Sequence, residues 1–331
     1  MIMLVLKCII LFTTSKGIIE IPFAHTIEIT SSWKEYTDTC SIKMAKKIRV
    51  KGASFDSTPI QEVIKAGDKV EVKLSYDGNY KTEFLGYVNR VHPKAPLEIE
   101  CQDAMWILKT GTARAKVFQG GSILDVVKHI APGYTYDVLD SSLGGNFIIT
   151  SDEPTPLKVL KKIEEVYGLK STFRIQDGIP VLVVGKQYLN AVNTEVVSYV
   201  LNENVIDNNL QFKGADDVMI NVRVRSRQTD GKVLRSEFKG DGSGDLKQLS
   251  IPGLSQAEVE AAAHRIYDQS KVDRMEGSFT TFGLPVITNG QIAEIDTKQT
   301  ELTKARYYVD TVVTTFGVDG YRRNIELGAK A

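Results

Sequence analysis

Ile287-Thr-Asn-Gly-Gln-Ile-Ala-Glu-Ile-Asp296, with Tyr307-Tyr-Val-Asp-Thr-Val-Val313 and Tyr321-Arg-Arg-Asn-Ile-Glu-Leu327 behind it, decides how this chain is read. The stretch has an earlier counterpart. Ile64-Lys-Ala-Gly-Asp-Lys-Val-Glu-Val-Lys-Leu74 is followed by Phe84-Leu-Gly-Tyr-Val-Asn-Arg-Val91 and Leu97-Glu-Ile-Glu-Cys101. Each copy reads as a Gly turn, an alternating strand, a polar turn, a second strand and a third alternating strand. Alternation with a period of two turns one face of each strand inward. Gly at the turn admits positive φ at no steric cost. The interval from Gly67 to Val88 matches that from Gly290 to Val309 within about two residues, as expected of one small β-unit used twice.

Around these copies the chain divides into segments. At 331 residues it exceeds the ~250–300 at which single cores stop growing, so more than one domain is expected. Residues 1–109 read as a first β-barrel domain. Within it Thr26-Ile-Glu-Ile-Thr30 and Cys40-Ser-Ile-Lys-Met44 alternate, and no helix is expected before about residue 108. The apolar Met1 to Phe12 stretch is broken by Lys7, lacks a small-residue cleavage site and is shorter than the ~20 residues a membrane span needs. It reads as the first arm of a hairpin that turns at Ser15-Lys-Gly17 and returns through Ile18–Ile21. No export step and no membrane insertion are expected.

Residues 110–193 read as a small α+β domain. A helix is predicted from Ser122, with Asp125 completing a capping box and Ile123, Leu124, Val126, Val127 and Ile130 as its apolar stripe. A second has Pro156 in its first turn and stops at Gly168. Strands Lys170–Ile175 and Pro180–Val184 flank a turn at Asp177-Gly178. Residues 194–331 read as a second β-barrel domain with a loop and helix inserted at about 240–275, the helix opened by a capping box at Ser255 and Glu258. The expected fold class is therefore mainly β with an α+β middle domain: two similar small β-barrels in one chain, a small α+β domain and a helical insertion.

Composition narrows the function. With 41 basic and 41 acidic residues, no global field recruits nucleic acid or an anionic membrane. Cys8, Cys40 and Cys101 are far apart and form no CxxC, so buried thiols are expected rather than a disulfide framework or a zinc site. His25, His92, His129 and His264 have no metal-ligand spacing, and no GxSxG, phosphate-binding loop or dinucleotide fingerprint occurs. Asp241, Ser243 and Asp245 imitate the start of a calcium loop, but Pro252 stands where the bidentate Glu belongs. Glu164 and Glu165 are neighbours on a helix and do not face each other. No catalytic residue, cofactor site or metal site can be named. Arg223, Arg225 and Arg227 alternate with Val222 and Val224 on one strand. They form either a basic face for an acidic partner or a passing phosphate backbone, or a solvent-facing row that deters edge pairing.

The order of segments resembles the baseplate hub proteins of tailed bacteriophages: the Mu-type tail hub, late control protein D, and the hub half of type VI secretion spikes. The residues carrying the likeness are Trp33-Lys-Glu-Tyr-Thr-Asp-Thr-Cys-Ser-Ile42, Ile64-Lys-Ala-Gly-Asp-Lys-Val70, Gly283-Leu-Pro-Val-Ile-Thr-Asn-Gly290 and Tyr308-Val-Asp-Thr-Val-Val313. Gln291 departs from the pattern, standing where an Asp is expected after the second turn Gly. The resemblance implies a non-enzymatic structural protein in the virion tail baseplate, assembled in the bacterial cytoplasm. It implies a homotrimer whose paired barrels imitate sixfold symmetry, with the tail tube above and the central spike below. A tape-measure protein and baseplate wedge proteins are further implied partners, and DNA passes in transit without base readout. Prophage tails, tail-like bacteriocins and contractile injection systems share this plan. Two rival readings differ in class. Gly121–Ile130 resembles part of a LysM-like glycan-binding unit, which would make the chain a cell-wall-binding module. A hydrolase on a β-rich scaffold would need a nucleophile, base and orienter, and the sequence offers none together.

Overall fold

The computed structural model describes residues 5–331 except 47–59, 140, 141, 144, 186–195, 202, 229, 252, 272, 273 and 299–303. Met1–Leu4, Pro252 of the calcium-like pattern and the expected division at 193/194 lie outside the described residues.

The first unit holds β1 (Leu6–Thr14), β2 (Gly17–Ile21), β3 (Thr26–Ser32), β4 (Thr39–Met44), the short helix α1 (Ile60–Val63), β5 (Lys69–Tyr76), β6 (Lys81–His92) and β7 (Leu97–Gln102). The N-terminal hairpin forms as expected, with Thr14 paired to Gly17. The ladder runs β2-β1-β5-β6-β7-β4-β3. It wraps the inward side chains of alternate positions, among them Ile10, Phe12, Ile27, Ile42, Val72 and Ile99, into one core. Cys40 and Cys101 face each other across β4 and β7 in that core. All three cysteines are free and buried, and burial raises their thiol pKa values, that of Cys8 to about 11.

The middle segment holds α2 (Met105–Thr110), β8 (Lys116–Gln119), α3 (Ile123–Ile130), β9 (Thr135–Val138), β10 (Asn146–Ile149), α4 (Pro156–Tyr167), β11 (Lys170–Gln176) and β12 (Ile179–Gly185). The capping box at Ser122 and Asp125 forms, Thr155 caps α4, and Gly168 takes the left-handed conformation that ends it. The helices pack with β8–β10 and with the β11-β12-β9 sheet around Val126, Leu160, Ile163 and Leu182. Helix α2 corrects the all-β expectation for the first segment. Its Met105 and Leu108, with Ala104, belong to this second core.

The last segment holds β13 (Val196–Val200), β14 (Val205–Asn208), β15 (Gln211–Lys213), β16 (Ile220–Arg227), β17 (Val233–Phe238), β18 (Asp245–Ser250), α5 (Gln256–Ser270), β19 (Arg274–Glu276), β20 (Ser278–Phe282), β21 (Ile292–Asp296), β22 (Lys304–Gly317) and β23 (Gly320–Lys330). The insertion is larger than the sequence reading allowed. Strands β16, β17 and β18 form a separate sheet on which α5 lies, with its own core of Val222, Val224, Val259 and Ala263.

The two copies share more than their outline. Gly67 donates its N–H to the Val88 carbonyl at 2.8 Å, and Val88 donates to the Asp68 carbonyl at 2.8 Å. Gly290 and Val309 repeat this at 2.7 Å, with Val309 donating to Gln291 at 2.9 Å. Both glycines have positive φ, +92° and +79°. The departure at Gln291 is absorbed. Its Oε1 accepts from the Thr288 N–H at 2.7 Å, as Asp68 Oδ2 accepts from the Lys65 N–H at 2.8 Å. Lys69 pairs with Tyr87 and Ile292 with Tyr308. Each long strand then bulges at the same place, between Val88 and Arg90 against β7 and between Val309 and Thr311 against β23. The copies differ outside this frame: β1 runs antiparallel to β5, whereas β13 runs parallel to β21.

Candidate functional site

The first unit does not hide its edges by closing on itself. Among the described residues, β2 and β3 end its ladder without pairing to each other. The edge of β3 is covered instead by β22 of the second unit, in antiparallel register from Thr26↔Gly317 to Ser32↔Thr311, and this joins both units into one 13-stranded sheet. An open strand edge is a template for another strand. Here the chain supplies that strand itself. Gly317 permits the approach: a Cβ there would sit 2.7 Å from the His25 carbonyl oxygen.

Side chains fasten this seam. Ser32 Oγ and Thr311 Oγ1 lie 2.9 Å apart, and the Trp33 N–H donates to the Asp310 carbonyl at 3.1 Å. Lys34 reaches Glu326 at 2.8 Å and Asp310 at 3.7 Å. Burial opposes its charge, but Glu326 and Asp310 outweigh that and hold the ammonium pKa above its usual value. Phe316 and Tyr321 of the second unit belong to the core of the first. Tyr76 Oη donates to the Tyr321 carbonyl at 2.8 Å and accepts from the Gly283 N–H at 3.3 Å.

At the centre is Arg323, 1% exposed. Its guanidinium donates to Glu83 Oε1 at 2.7 Å, Gly283 O at 2.8 Å, Thr314 Oγ1 at 2.9 Å and Tyr321 Oη at 3.0 Å. Tyr321 Oη donates in turn to Glu83 Oε1 at 2.7 Å. Burial disfavours the charged guanidinium, yet Glu83 and the two tyrosine hydroxyls nearby outweigh it and keep Arg323 above the ordinary arginine range. Burial pushes the Tyr321 hydroxyl up, so it stays a donor. Sequence reasoning did not single out this cluster. A signal was available: in Tyr321-Arg-Arg-Asn-Ile-Glu-Leu327 the inward positions are Tyr321, Arg323, Ile325 and Leu327, and a charge in an inward row requires a buried partner.

A cleft of about 750 Å³ opens where both units meet the middle domain, lined by Asp38, Glu83, Asp103, Arg174, Asn289 and Arg323 among others. Asp38 and Asp103 are neighbours there: the Asp38 N–H donates to Asp103 Oδ2 at 3.2 Å, and Ser31 Oγ donates to Asp38 Oδ2 at 2.7 Å. Asp38 keeps some surface on the cleft, but burial of its carboxyl dominates and pushes it up to about 7, against the hydrogen bonds from Ser31 and Ser32 and the charge of Arg174. Asp103, 6% exposed, is pushed up by burial and then by Asp38. Arg174 lies at the second turn, where its Nη2 would be 2.8 Å from a Cβ on Gly290. Trp106 covers the equivalent Gly67.

The three arginines of the candidate basic face lie on one strand, β16, at alternate positions. Arg223, Arg225 and Arg227 are half-buried on β16, opposite the Val222 and Val224 face that α5 covers. Strand β16 is central, between β17 and β18, so its arginines do not protect an edge. Arg223 grips Glu237 Oε2 through Nε at 2.8 Å and Nη2 at 2.5 Å. Arg225 stands opposite Arg235, and the Arg227 charge reaches Tyr167 at the end of α4. The structure does not bring these arginines to the seam.

The other residues weighed in the sequence make local packing and hydrogen-bond contacts. Asp241 accepts from the Ile220 N–H at 2.9 Å and from Tyr267 Oη at 3.1 Å, and pairs with Lys271 at 3.0 Å, which ties its loop to α5. No cluster of three metal-ligating side chains occurs among the described residues. His129 lies against Phe118, His264 against Phe238, and His92 bonds Glu100 at 2.8 Å. The Gly121–Ile130 segment resembling LysM is occupied by α3; β9, which follows it, pairs in parallel with β12. No helix among the described residues is long and apolar enough to cross a membrane.

No protein-family model and no curated protein matches the sequence. Solved structures do match its fold. The 43 kDa tail protein of prophage MuSo2 from Shewanella oneidensis aligns over 97% of this chain and 98% of its own, with a TM-score of 0.64 at 15% identity. A tail protein from Neisseria meningitidis aligns over 98% and 96%, with a TM-score of 0.63 at 14% identity. The chain has the fold of phage tail proteins. A component of the Escherichia coli type VI secretion system, described as similar in structure to T4 tail proteins gp27 and gp5, shares this tail-protein fold over 92% of this chain and 73% of its own, with a TM-score of 0.55 at 9% identity. These alignments span 92–98% of this chain, so the likeness in its mainly-β fold extends over nearly its whole length.

Proposed function

We propose that this chain is the structural hub of a phage tail or tail-like baseplate. In this reading it is a non-enzymatic homotrimer that joins a sixfold tail tube to a threefold central spike. The observation that carries it is the seam. A β-unit present twice per chain, joined to its like by a head-to-tail edge contact, is a heterologous interface, which generates a ring when its rotation closes. Three chains then place six like units around one axis, similar enough to meet a sixfold partner on one side while the rest of each chain keeps threefold order on the other. The likeness of fold to tail proteins agrees with this role.

The partners proposed are tail tube, spike, tape-measure protein and baseplate wedge proteins, with DNA passing through the ring unread. Arg223, Arg225 and Arg227 are proposed as a charged face toward the lumen or a partner. Light scattering across a concentration series, followed by rotational averaging of single-particle images, tests the proposal. The expected result is a threefold mass with a strong sixfold harmonic at the level of the β-units. A purely twofold or open-ended assembly would remove the adaptor reading.

A further inference from the structure

We infer that the outer face of the β17-β16-β18 sheet is a docking site for a carboxylate-bearing segment of a partner protein, held between Arg225 and Arg235. The inference narrows the charged face proposed above to a protein partner, and it rests on the hub reading only in expecting such partners.

The face follows from a period of two. Leu234 and Phe238 of β17 and Leu249 of β18 join Val222 and Val224 in the core under α5. The alternate positions lie on the opposite face, with Arg223, Arg225 and Arg227 in the centre and Arg235 and Glu237 beside them on β17. Successive rungs of this ladder differ. Arg223 stands opposite Glu237 and holds it through two nitrogens. Two residues on, Arg225 stands opposite Arg235. Like charges directly opposite each other destabilise a strand pair. Among the described residues neither Arg225 nor Arg235 has an ion-pair partner; the ion pair of this rung's neighbour is Arg223 with Glu237. Arg225 Nε is also shut off from solvent without a hydrogen-bond acceptor. A buried donor left unmade is costly.

The occupied rung shows what fits the empty one. A carboxylate held by Arg225 through Nε and Nη, as Glu237 is held by Arg223, gives that N–H its acceptor. Arg235 closes on the same carboxylate from the other side, so the repulsion becomes a clamp. Such paired, charge-assisted bonds are the strong ones. The surroundings suit a peptide. Val233, opposite Arg227, is 44% exposed, and Leu246, opposite Asn221, is 47% exposed. An extended segment with an acidic residue between apolar ones would cover both. A nucleic-acid backbone suits the face less well. Glu237 stands in its path, and none of the outer positions on the three strands is aromatic, so bases have no stacking platform.

The test uses the full chain and a fluorescein-labelled peptide that repeats Leu-Ser-Glu-Ser. Extended, this peptide puts Glu and Leu alternately on one face. Fluorescence anisotropy should show binding that weakens with salt. Affinity should fall at least ~10-fold when Gln replaces Glu in the peptide. Arg225→Gln and Arg235→Glu in the chain should each cost at least ~10-fold. Lys128→Gln on α3 removes one charge elsewhere and should leave affinity unchanged. Arg235→Glu should at the same time raise the thermal midpoint, by up to roughly 4 °C, because Arg225 then faces a carboxylate within its own sheet. An arginine that only supports the sheet would not trade stability for binding in this way.

Binding that survives either variant, or a midpoint that falls in Arg235→Glu, would overturn the docking site. So would a single-stranded DNA oligonucleotide that binds more tightly than the peptide and is lost in the same variants, which would assign the face to phosphate. Light scattering on the same samples reports the threefold mass independently, so the docking site and the hub reading stand or fall separately.

Discussion

Replacing Arg323 by Met should do more damage than any surface change of equal size. The stem of Met fills much of the same volume, so the loss is mainly of charge and hydrogen bonds. Four acceptors lose a donor: Glu83 Oε1, Gly283 O, Thr314 Oγ1 and Tyr321 Oη. Among the described residues Glu83 then keeps the Tyr321 hydroxyl alone; the Arg323 and Glu83 side chains are 2% and 5% exposed. Breaking a buried ion pair from one side costs about 3–5 kcal/mol, since the other charge is stranded. At about 2–4 °C per kcal/mol, the thermal midpoint should fall by roughly 6–20 °C. The double variant Arg323→Met with Glu83→Gln should recover part of this, because no charge is then left buried alone. Scanning calorimetry of the wild type, both single variants and the double variant closes the cycle. A drop below ~1 kcal/mol for Arg323→Met, or a double variant no better than the single, would show that this cluster does not hold the two units together.

Further expectations follow from single positions. Gly86→Ala should abolish soluble folding, because its Cβ would lie 2.1 Å from the Gln102 carbonyl oxygen in the neighbouring strand; soluble yield reads this directly. Asp38 is held up to about 7 in the fold, above an unfolded value near ~3.9. Its contribution is therefore fully present below the lower value and is lost as pH rises through the upper one. Asp38→Asn should consequently gain in thermal midpoint relative to wild type between pH 4.5 and pH 8, and an unchanged difference would exclude this account. Gln291→Ala should cost on the order of 1 kcal/mol by urea denaturation, through the unpaired Thr288 N–H, while Gln291→Asp should be close to neutral. Ser122→Ala should cost about 0.5–2 kcal/mol at the start of α3, measured the same way.

Much of the fold was legible because it is local. Gly67 and Gly290 announce turns that need positive φ, and the alternation after each fixes which face is inward. The caps at Ser122 and Ser255, Pro156 and the Gly168 stop are each written within a few residues. Helix α2 was not legible: six residues give too little period, and Met105 and Leu108 become apolar contacts only when α4 lies against them. The arginines of β16 were placed correctly on one face, but whether that strand is central or at an edge depends on β17 and β18 arriving from either side.

The sequence by itself determined that one β-unit occurs twice, because turn chemistry and a period of two are properties of neighbouring residues. Only the tertiary structure decided that β22 covers β3 and that Arg323 meets Glu83. Strand edges carry the same backbone donors and acceptors whatever their side chains, so which edges meet is settled by the packing of whole units.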